Sequence, residues 1–436
     1  MSRVIVDQEQ GKGRGKVTEQ ANYKKTIVAG IAGNLMEWYD FAIYGYMVPI
    51  IGSLFFPSDD AVASILATFS AFAAGYLARP LGGVLFGHIG DRYGRKAVLN
   101  LSIMMMGLST FAIGLLPDVS QIGVAAAGML VCLRILQGIS VGGEYTGSIT
   151  FVLEHAPPNR RAFATSWIGV GGSLGFLIGS GVGTVMHEVF TEEELRSWAW
   201  RLPFLSGVLI AAVGYFIRRH APEPPRSPDV PLPDAPIIIA VRDYWRPMLQ
   251  LMGLALAVNA GFYMMFVYAN TYLTEHMHVS TAQAMEINTV NLLLLTVMIP
   301  IAGYMTDRLG RKPVLITGML GLILFSYSLF WMMHEATERM IFLGQFGFAL
   351  LIAWIWGANP AAQGELLPQH IRVSAFSIAY SLCLAIFGGT TPLVAAYLLE
   401  RTANDFAPVW YLIALSLVSL IAVISIPETH PERARS

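Results

Sequence analysis

The sequence predicts an all-α integral membrane protein with twelve transmembrane helices in two repeated six-helix halves. Three observations carry that reading. Of the 436 residues, 55% are hydrophobic and 13% charged, about half the charged share of an ordinary soluble chain, near 25%. Apolar stretches approaching or exceeding the roughly 20 residues that a helix needs to cross a bilayer recur along the whole chain. A loop pattern that follows the second stretch returns after the eighth.

The first span, Lys25–Phe56, carries two carboxylates inside its apolar run. Asn34, Glu37, Asp40 and Tyr44 stand at steps of three, three and four, so helical geometry puts them on one face. A carboxylate at the bilayer centre costs at least about 2.5–3.5 kcal/mol, and such groups commonly mark ion or proton pathways. Burial disfavours the charged form of a carboxyl and a nearby Arg favours it. Asp40, then Glu37, are therefore the first candidates for proton coupling. The alternative use of the pair is a permanent ion pair with Arg79 in the second span, Ala61–Ile89.

The third span is Lys96–Leu116. The fourth, Ile122–Glu154, places Arg134, Gln137, Glu144, Tyr145 and Ser148 on a shared face. Arg134 and Arg79 can each clamp a substrate carboxylate with the planar guanidinium fork, or neutralise Glu144, Glu37 or Asp40. In the fifth span, Ala162–Val189, Gly171, Gly175, Gly179 and Gly183 recur every four residues, a small-residue face on which helices pack backbone to backbone. Trp200–Ile217 completes the first half.

The second half runs Tyr244–Thr274, Ala282–Met305, Pro313–Met333, Arg339–Glu365, Arg372–Leu399 and Pro408–Ile426. Its inward polar candidates are neutral: Asn259, Tyr263 and Asn270, Asn288 and Asn291, Asn359 and Gln363. Spans three, six, nine and twelve are almost free of charge and can face lipid, whereas charged spans must face an interior. The prolines at 222, 224, 225, 228, 231 and 233 mark an extended linker between the halves. The expected divisions are a tail at 1–24, a first half at 25–217, a linker at 218–243, a second half at 244–427 and a short tail at 428–436.

Charge sorts the ends. The termini and the even-numbered loops hold 22 of the 28 Lys and Arg. That asymmetry puts both termini and the linker in the cytoplasm. Residues 1–25 are polar and basic and lack the apolar core of a secretory leader. Cys132 and Cys383, both in apolar segments, imply neither a disulfide framework nor a metal cluster. No nucleotide-binding Gly-rich loop occurs, so neither ATP-driven pumping nor any cofactor is expected. A nucleic-acid partner is likewise not expected.

The repeated loops are Gly87…Asp91-Arg92…Gly94-Arg95-Lys96 and Gly303…Asp307-Arg308…Gly310-Arg311-Lys312. A second pair, Glu154…Pro157…Arg161 and Glu365…Pro368…Arg372, follows spans four and ten. Duplicated halves around a midplane site are an architecture of secondary transporters. The Asp, Glu and Arg of these loops are read as a cytoplasmic gate: Asp91, Arg92, Arg95, Glu154, Arg161, Asp307, Arg308, Arg311, Glu365 and Arg372.

The duplicated Asp-Arg-x-Gly-Arg-Lys loop resembles the signature of the major facilitator superfamily. Gly33-Asn34…Glu37-Trp38-Tyr39-Asp40, Arg79-Pro80…Gly82-Gly83, Arg134…Gln137-Gly138 with Gly142-Gly143-Glu144, and Phe387-Gly388-Gly389-Thr390-Thr391-Pro392 resemble its metabolite:proton symporters. The resemblance implies a multi-pass protein of the inner (plasma) membrane, acting as a monomer. It also implies import, with protons, of an organic acid (a di- or tricarboxylate, or shikimate-like) or a zwitterion such as proline or betaine. A uniporter, a proton-coupled exporter or a transporter-like receptor would share the fold. Osmosensing members have a long C-terminal coiled coil, whereas this chain ends at Ser436, so an osmosensor is not implied. The expected substrate-binding or charge-pairing set is Arg79, Arg134, Gln137, Glu144, Asn34, Tyr44, Asn259, Tyr263 and Asn359.

Overall fold

A computed structural model of the chain describes residues 31, 33–93, 95–209, 212–213, 216, 236–369 and 371–430, with the side chains of 87–100 and 236–237 left out. The first half contains α1 (33–46 and Val48–Phe55, with a turn at Met47), α2 (Ala61–Leu77 and Arg79–Tyr93, joined through Ala78) and α3 (Arg95–Leu115). It continues with α4 (Ala125–Ser140 and Glu144–His155), α5 (Arg161–Val189) and α6 (Arg201–Leu205 with 207–209). The second half contains α7 (Trp245–Glu275), α8 (Thr281–Leu309), α9 (Arg311–His334), α10 (Glu338–Glu365), α11 (Arg372–Thr402) and α12 (Ala407–Ser425). Among the described residues, nine of these helices are long and apolar enough to span a membrane.

The structure departs from the sequence reading at three places. The fourth span breaks at Val141-Gly142-Gly143, where two glycines weaken the helix. Residues 236–243, assigned to the linker, form the helix Pro236–Asp243. In α7 and α11 the segments Met264–Tyr268 and Leu384–Gly388 are π-helical, a distortion frequent at functional sites.

Glycines set the helix spacing. A Cβ on Gly138 would lie 1.7 Å from the carbonyl oxygen of Gly75, and one on Gly82 would lie 2.0 Å from that of Ile139. Thus α2 and α4 touch backbone to backbone, which draws Arg79 and Arg134 toward one site. The glycine face of α5 does the same against α1: Cβ atoms on Gly175 and Gly179 would meet the Leu35 carbonyl at 2.5 Å and the Ala42 side chain at 2.7 Å. Across the seam between the halves, α5 lies along α8 and α10, and α11 lies along α2 and α4. The outer surface is apolar, with Leu108 on α3 and Leu417, Val418 and Ile421 on α12 exposed. That is the surface a lipid environment requires.

Candidate transport site

The carboxylates of α1 are both buried, but they have different partners. Glu37 Oε1 is 2.5 Å from Arg79 Nη2, and both side chains are about 2% exposed or less. Asp40 instead accepts from the hydroxyl of Thr110 on α3, Oγ1 to Oδ2 at 2.6 Å. Thr110 in turn accepts from Gln137 Nε2 at 2.6 Å, and Gln137 Oε1 accepts from Arg134 Nη1 at 2.8 Å. Arg134 is therefore joined to Asp40 by a chain of neutral groups rather than by direct contact.

Aromatic rings enclose the cations. The Arg134 guanidinium carbon lies 4.4 Å from the Tyr44 ring centre and 4.7 Å from that of Phe41. That of Arg79 lies 5.4 Å from Trp38 and 5.8 Å from Phe41. Desolvated guanidinium groups over ring faces gain about 2 kcal/mol or more each. This offsets part of the cost of leaving Arg134 Nε and Nη2, and Arg79 Nε and Nη1, without hydrogen-bond acceptors.

The second half closes over this cluster. Tyr263 on α7 shares a 2.6 Å hydrogen bond with Tyr76 on α2. Beside it is a cavity of about 10 Å³, lined by Trp38, Gly172, Phe176, Asn259, Phe262, Tyr263 and Trp356. That is room for about one water. Asn259 Nδ2 and Trp38 Nε1, both on cavity-lining residues, are buried without a hydrogen-bond acceptor. Asn359 Oδ1, three residues after Trp356 on α10, is buried without a donor.

Other expected site residues have structural partners. Asn34 Nδ2 donates to the Ile168 carbonyl on α5 at 3.3 Å, and the Tyr44 hydroxyl donates to the Thr68 carbonyl at 3.2 Å. Glu144, half-buried, opens the second part of α4 beyond the 141–143 break, and the acceptor that Arg134 meets is Gln137. Thr110 and the aromatic lining were missing from the sequence reading. Thr110 sits in a span free of charge, and rings in apolar helices read as packing.

Both ends of the seam are bridged. At the end bearing the repeated loops, Asp307 accepts from the backbone N–H of Ala162 at 3.0 Å and of Phe163 at 2.8 Å. It thereby caps the first turn of α5 in the other half. Arg311 binds Glu365 through Nε and Nη2, each at 3.2 Å, and approaches Asp307 at 3.2 Å. Arg161 lies 3.8 Å from Glu365, and Arg372 lies 3.1 Å from Glu154. The paired loops therefore cross: each Glu meets the Arg of the other half rather than of its own loop.

Arg308 stacks over Tyr304 at 4.5 Å. The side chains of Asp91, Arg92 and Arg95 lie outside the described residues. Gly310 turns with φ 99°, and Glu428 caps α9 there by accepting from the N–H groups of Arg311 and Lys312. At the opposite end, Asn288 of α8 donates to Ser180 at 3.0 Å and to the Tyr46 hydroxyl at 3.3 Å, and Ser180 meets Thr289 at 2.7 Å.

A sequence model of the Major Facilitator Superfamily matches residues 31–285 and 251–436. The chain is 33% identical over 427 residues to a proline/betaine transporter of Salmonella typhimurium, covering 95% of this chain and 85% of the relative. It is 36% identical over 409 residues to a putative proline/betaine transporter of Staphylococcus aureus, covering 92% and 87%. Its fold superposes on the proton:xylose symporter XylE with a TM-score of 0.75 at 18% identity, over 94% of this chain and 97% of that one. The chain is a multi-pass membrane transporter, not an enzyme, and it belongs to the major facilitator superfamily.

Proposed function

We propose that the protein imports a small zwitterion of the proline or betaine type together with protons, by alternating access between its halves. One observation carries the coupling: Glu37 is locked to Arg79, while Asp40 is held by the neutral hydroxyl of Thr110. Removing one partner of such a buried pair costs about 3–5 kcal/mol, so the pair suits a fixed strut. Asp40 can exchange its proton without dismantling an ion pair.

With Asp40 ionised, Glu37, Asp40, Arg79 and Arg134 sum to zero. Protonation of Asp40 leaves one net positive charge, which attracts the carboxylate of an incoming substrate. The proton then favours substrate binding, and by linkage the substrate favours proton binding. A neutral zwitterion suits this charge balance better than a di- or tricarboxylate, and the named relatives point to the same class.

The charge asymmetry of the loops supports a cytoplasmic placement of both termini, the 218–243 linker and the Asp307–Glu365 latch. The bacterial relatives support the inner membrane. The proposed unit is a monomer of two halves, 25–217 and 244–427, with Glu37 and Arg79 as the strut and Gln137 and Arg134 tuning Asp40. Uptake of labelled proline and glycine betaine into proteoliposomes, with and without an inward proton gradient, tests this. Asp40→Asn is expected to abolish gradient-driven accumulation and to retain counterflow. Gradient-driven accumulation by that variant would refute the assignment.

A further inference from the structure

The small cavity at the seam brings together aromatic rings and unsatisfied hydrogen-bond donors. Its walls are rings in mutual contact: Trp38 to Phe176 at 5.8 Å, Phe176 to Phe262 at 4.7 Å, Phe262 to Trp356 at 4.9 Å and Phe262 to Tyr263 at 5.7 Å. Its unsatisfied polar atoms are both donors, the indole N–H of Trp38 and the amide Nδ2 of Asn259, on side chains 4% and 3% exposed. Buried donors without acceptors are costly, and native structures rarely keep them without a reason. Stacked ring faces attract cations, quaternary ammonium groups above all.

The cavity also has a polarity. Arg79 lies on the Trp38 ring, and Trp38 is a wall of the cavity. The Arg79 charge is balanced by Glu37 and none of the cavity-lining residues is charged, so the Trp38 side is marked by its unsatisfied N–H donor. An anion belongs at Trp38 and a cation among the distal rings.

We propose that this cavity is the closed form of the substrate subsite. Trp38 Nε1 and Asn259 Nδ2 receive the carboxylate, and the faces of Phe176, Phe262, Tyr263 and Trp356 receive a methylated or ring-borne ammonium about one carbon away. This deepens the zwitterion reading above and rests on it. Two of the four elements are α1 and α5 of the first half, and two are α7 and α10 of the second. A zwitterion enters when the halves part, and their closure around it completes the box.

The test measures binding to the purified full-length protein in detergent, by calorimetry, with three ligands. Glycine betaine has both charges. Choline has the ammonium without the carboxylate. The third, 3,3-dimethylbutanoate, has the carboxylate with a neutral group of the same shape in place of the ammonium.

Trp38→Phe keeps the ring and deletes only the N–H, and Asn259→Ala deletes the amide. Each is expected to weaken glycine betaine roughly tenfold, the effect of about one lost charge-assisted hydrogen bond, and to leave choline unchanged. Trp356→Leu is expected to weaken betaine and choline together and to leave 3,3-dimethylbutanoate unchanged. A fold defect would move all three ligands alike, which separates it from loss of one donor.

Unaltered betaine affinity in both Trp38→Phe and Asn259→Ala would overturn the subsite and leave the zwitterion reading standing. So would equal binding of 3,3-dimethylbutanoate and betaine by the unaltered protein. Absence of any betaine or proline binding by the unaltered protein would overturn both.

Discussion

Asp307, near the end of α8, accepts a 2.8 Å hydrogen bond from the backbone N–H of Phe163 in the first turn of α5. The carboxylate belongs to one half and the helix terminus to the other. Opening this end of the seam must therefore expose two helix N–H groups, those of Ala162 and Phe163. A carboxylate at a helix N-terminus contributes about 0.3–1 kcal/mol when exposed and up to ~2 when partly buried. Asp307→Asn keeps an acceptor but removes the charge. The expected outcome is a shift toward the state open at this end, of about 2- to 30-fold in population. Labelling of a single cysteine introduced in the seam near Leu153 measures it, and an unchanged labelling rate would contradict the gating role.

Glu154 and Arg372 make the second crossing contact, at 3.1 Å and partly buried. Reversing either charge alone should release the latch, whereas the double exchange Glu154→Arg with Arg372→Glu should restore part of it. Coupling between residues in direct contact is typically about 0.5–3 kcal/mol. The same labelling assay, run as a double-mutant cycle, reads the coupling. Additive effects of the two single changes would show that the pair bears no share of the latch.

The repeated loops marked these residues in the sequence, but not their wiring. Glu154, Arg161, Glu365 and Arg372 read as members of one gate, with no pairing among them assigned. The fold brings Glu154 to Arg372 and Glu365 to Arg161 across the halves, and Glu365 also to Arg311 of its own half. Sequence spacing encodes helix periodicity, which grouped Asn34, Glu37, Asp40 and Tyr44 on one surface; their partners lie on α5, α2, α3 and α2. It does not encode which neighbour that surface meets. Thr110 was invisible for this reason: an uncharged helix reads as lipid-facing, yet one face of α3, with Met106, Thr110 and Ile113, is buried. The aromatic box escaped notice because rings are abundant in apolar helices. Only their convergence beside two unsatisfied donors distinguishes them.

Thr110 gives the next prediction. Its hydroxyl both donates to Asp40 and accepts from Gln137. Thr110→Val leaves the carboxylate without that donor and the Gln137 amide without that acceptor. Hydrogen bonds to charged groups contribute about 1.5–3 kcal/mol, so gradient-driven uptake is expected to fall roughly 10- to 100-fold. Counterflow, which needs no net proton movement, should survive. Thr110→Ser, which keeps the hydroxyl, should restore most of the uptake. Equal uptake by the Val and Ser variants would remove Thr110 from the coupling path.

Backbone contact between α2 and α4 predicts a sharp contrast between glycines. A Cβ on Gly138 would sit 1.7 Å from the Gly75 carbonyl oxygen, whereas one on Gly147 has open space within 4 Å. Gly138→Ala must push the two helices apart and carry Arg134 and Gln137 together away from Arg79 on α2. Overpacking of this kind costs about 1–3 kcal/mol, occasionally more. Gly147→Ala should be neutral or slightly stabilising, since alanine is favoured in a helix by about 1 kcal/mol. Thermal unfolding in detergent checks both, with the melting temperature of the first lowered and that of the second unchanged or raised.

The far end of the seam should respond in the opposite sense to the Asp307 end. There the closure is made of neutral groups: Asn288 donates to Ser180 and Tyr46 across the halves, and its own oxygen accepts from Gln345 at 2.8 Å within the second half. Asn288→Ala removes all three bonds at once, two of which cross the seam. Each neutral hydrogen bond contributes about 0.5–1.5 kcal/mol net, so the balance moves toward the state open at this end by roughly tenfold or more. Salt separates the two clasps. Screening weakens the charged latch at its partly exposed ion pairs, while hydrogen bonds among buried amides and hydroxyls are indifferent to it. Raising ionic strength should therefore shift the unaltered protein in the same direction as Asp307→Asn and leave the effect of Asn288→Ala intact. Cysteine labelling at each end, at low and high salt, measures both. A salt response carried equally by the two ends would contradict the division into a charged and a neutral clasp.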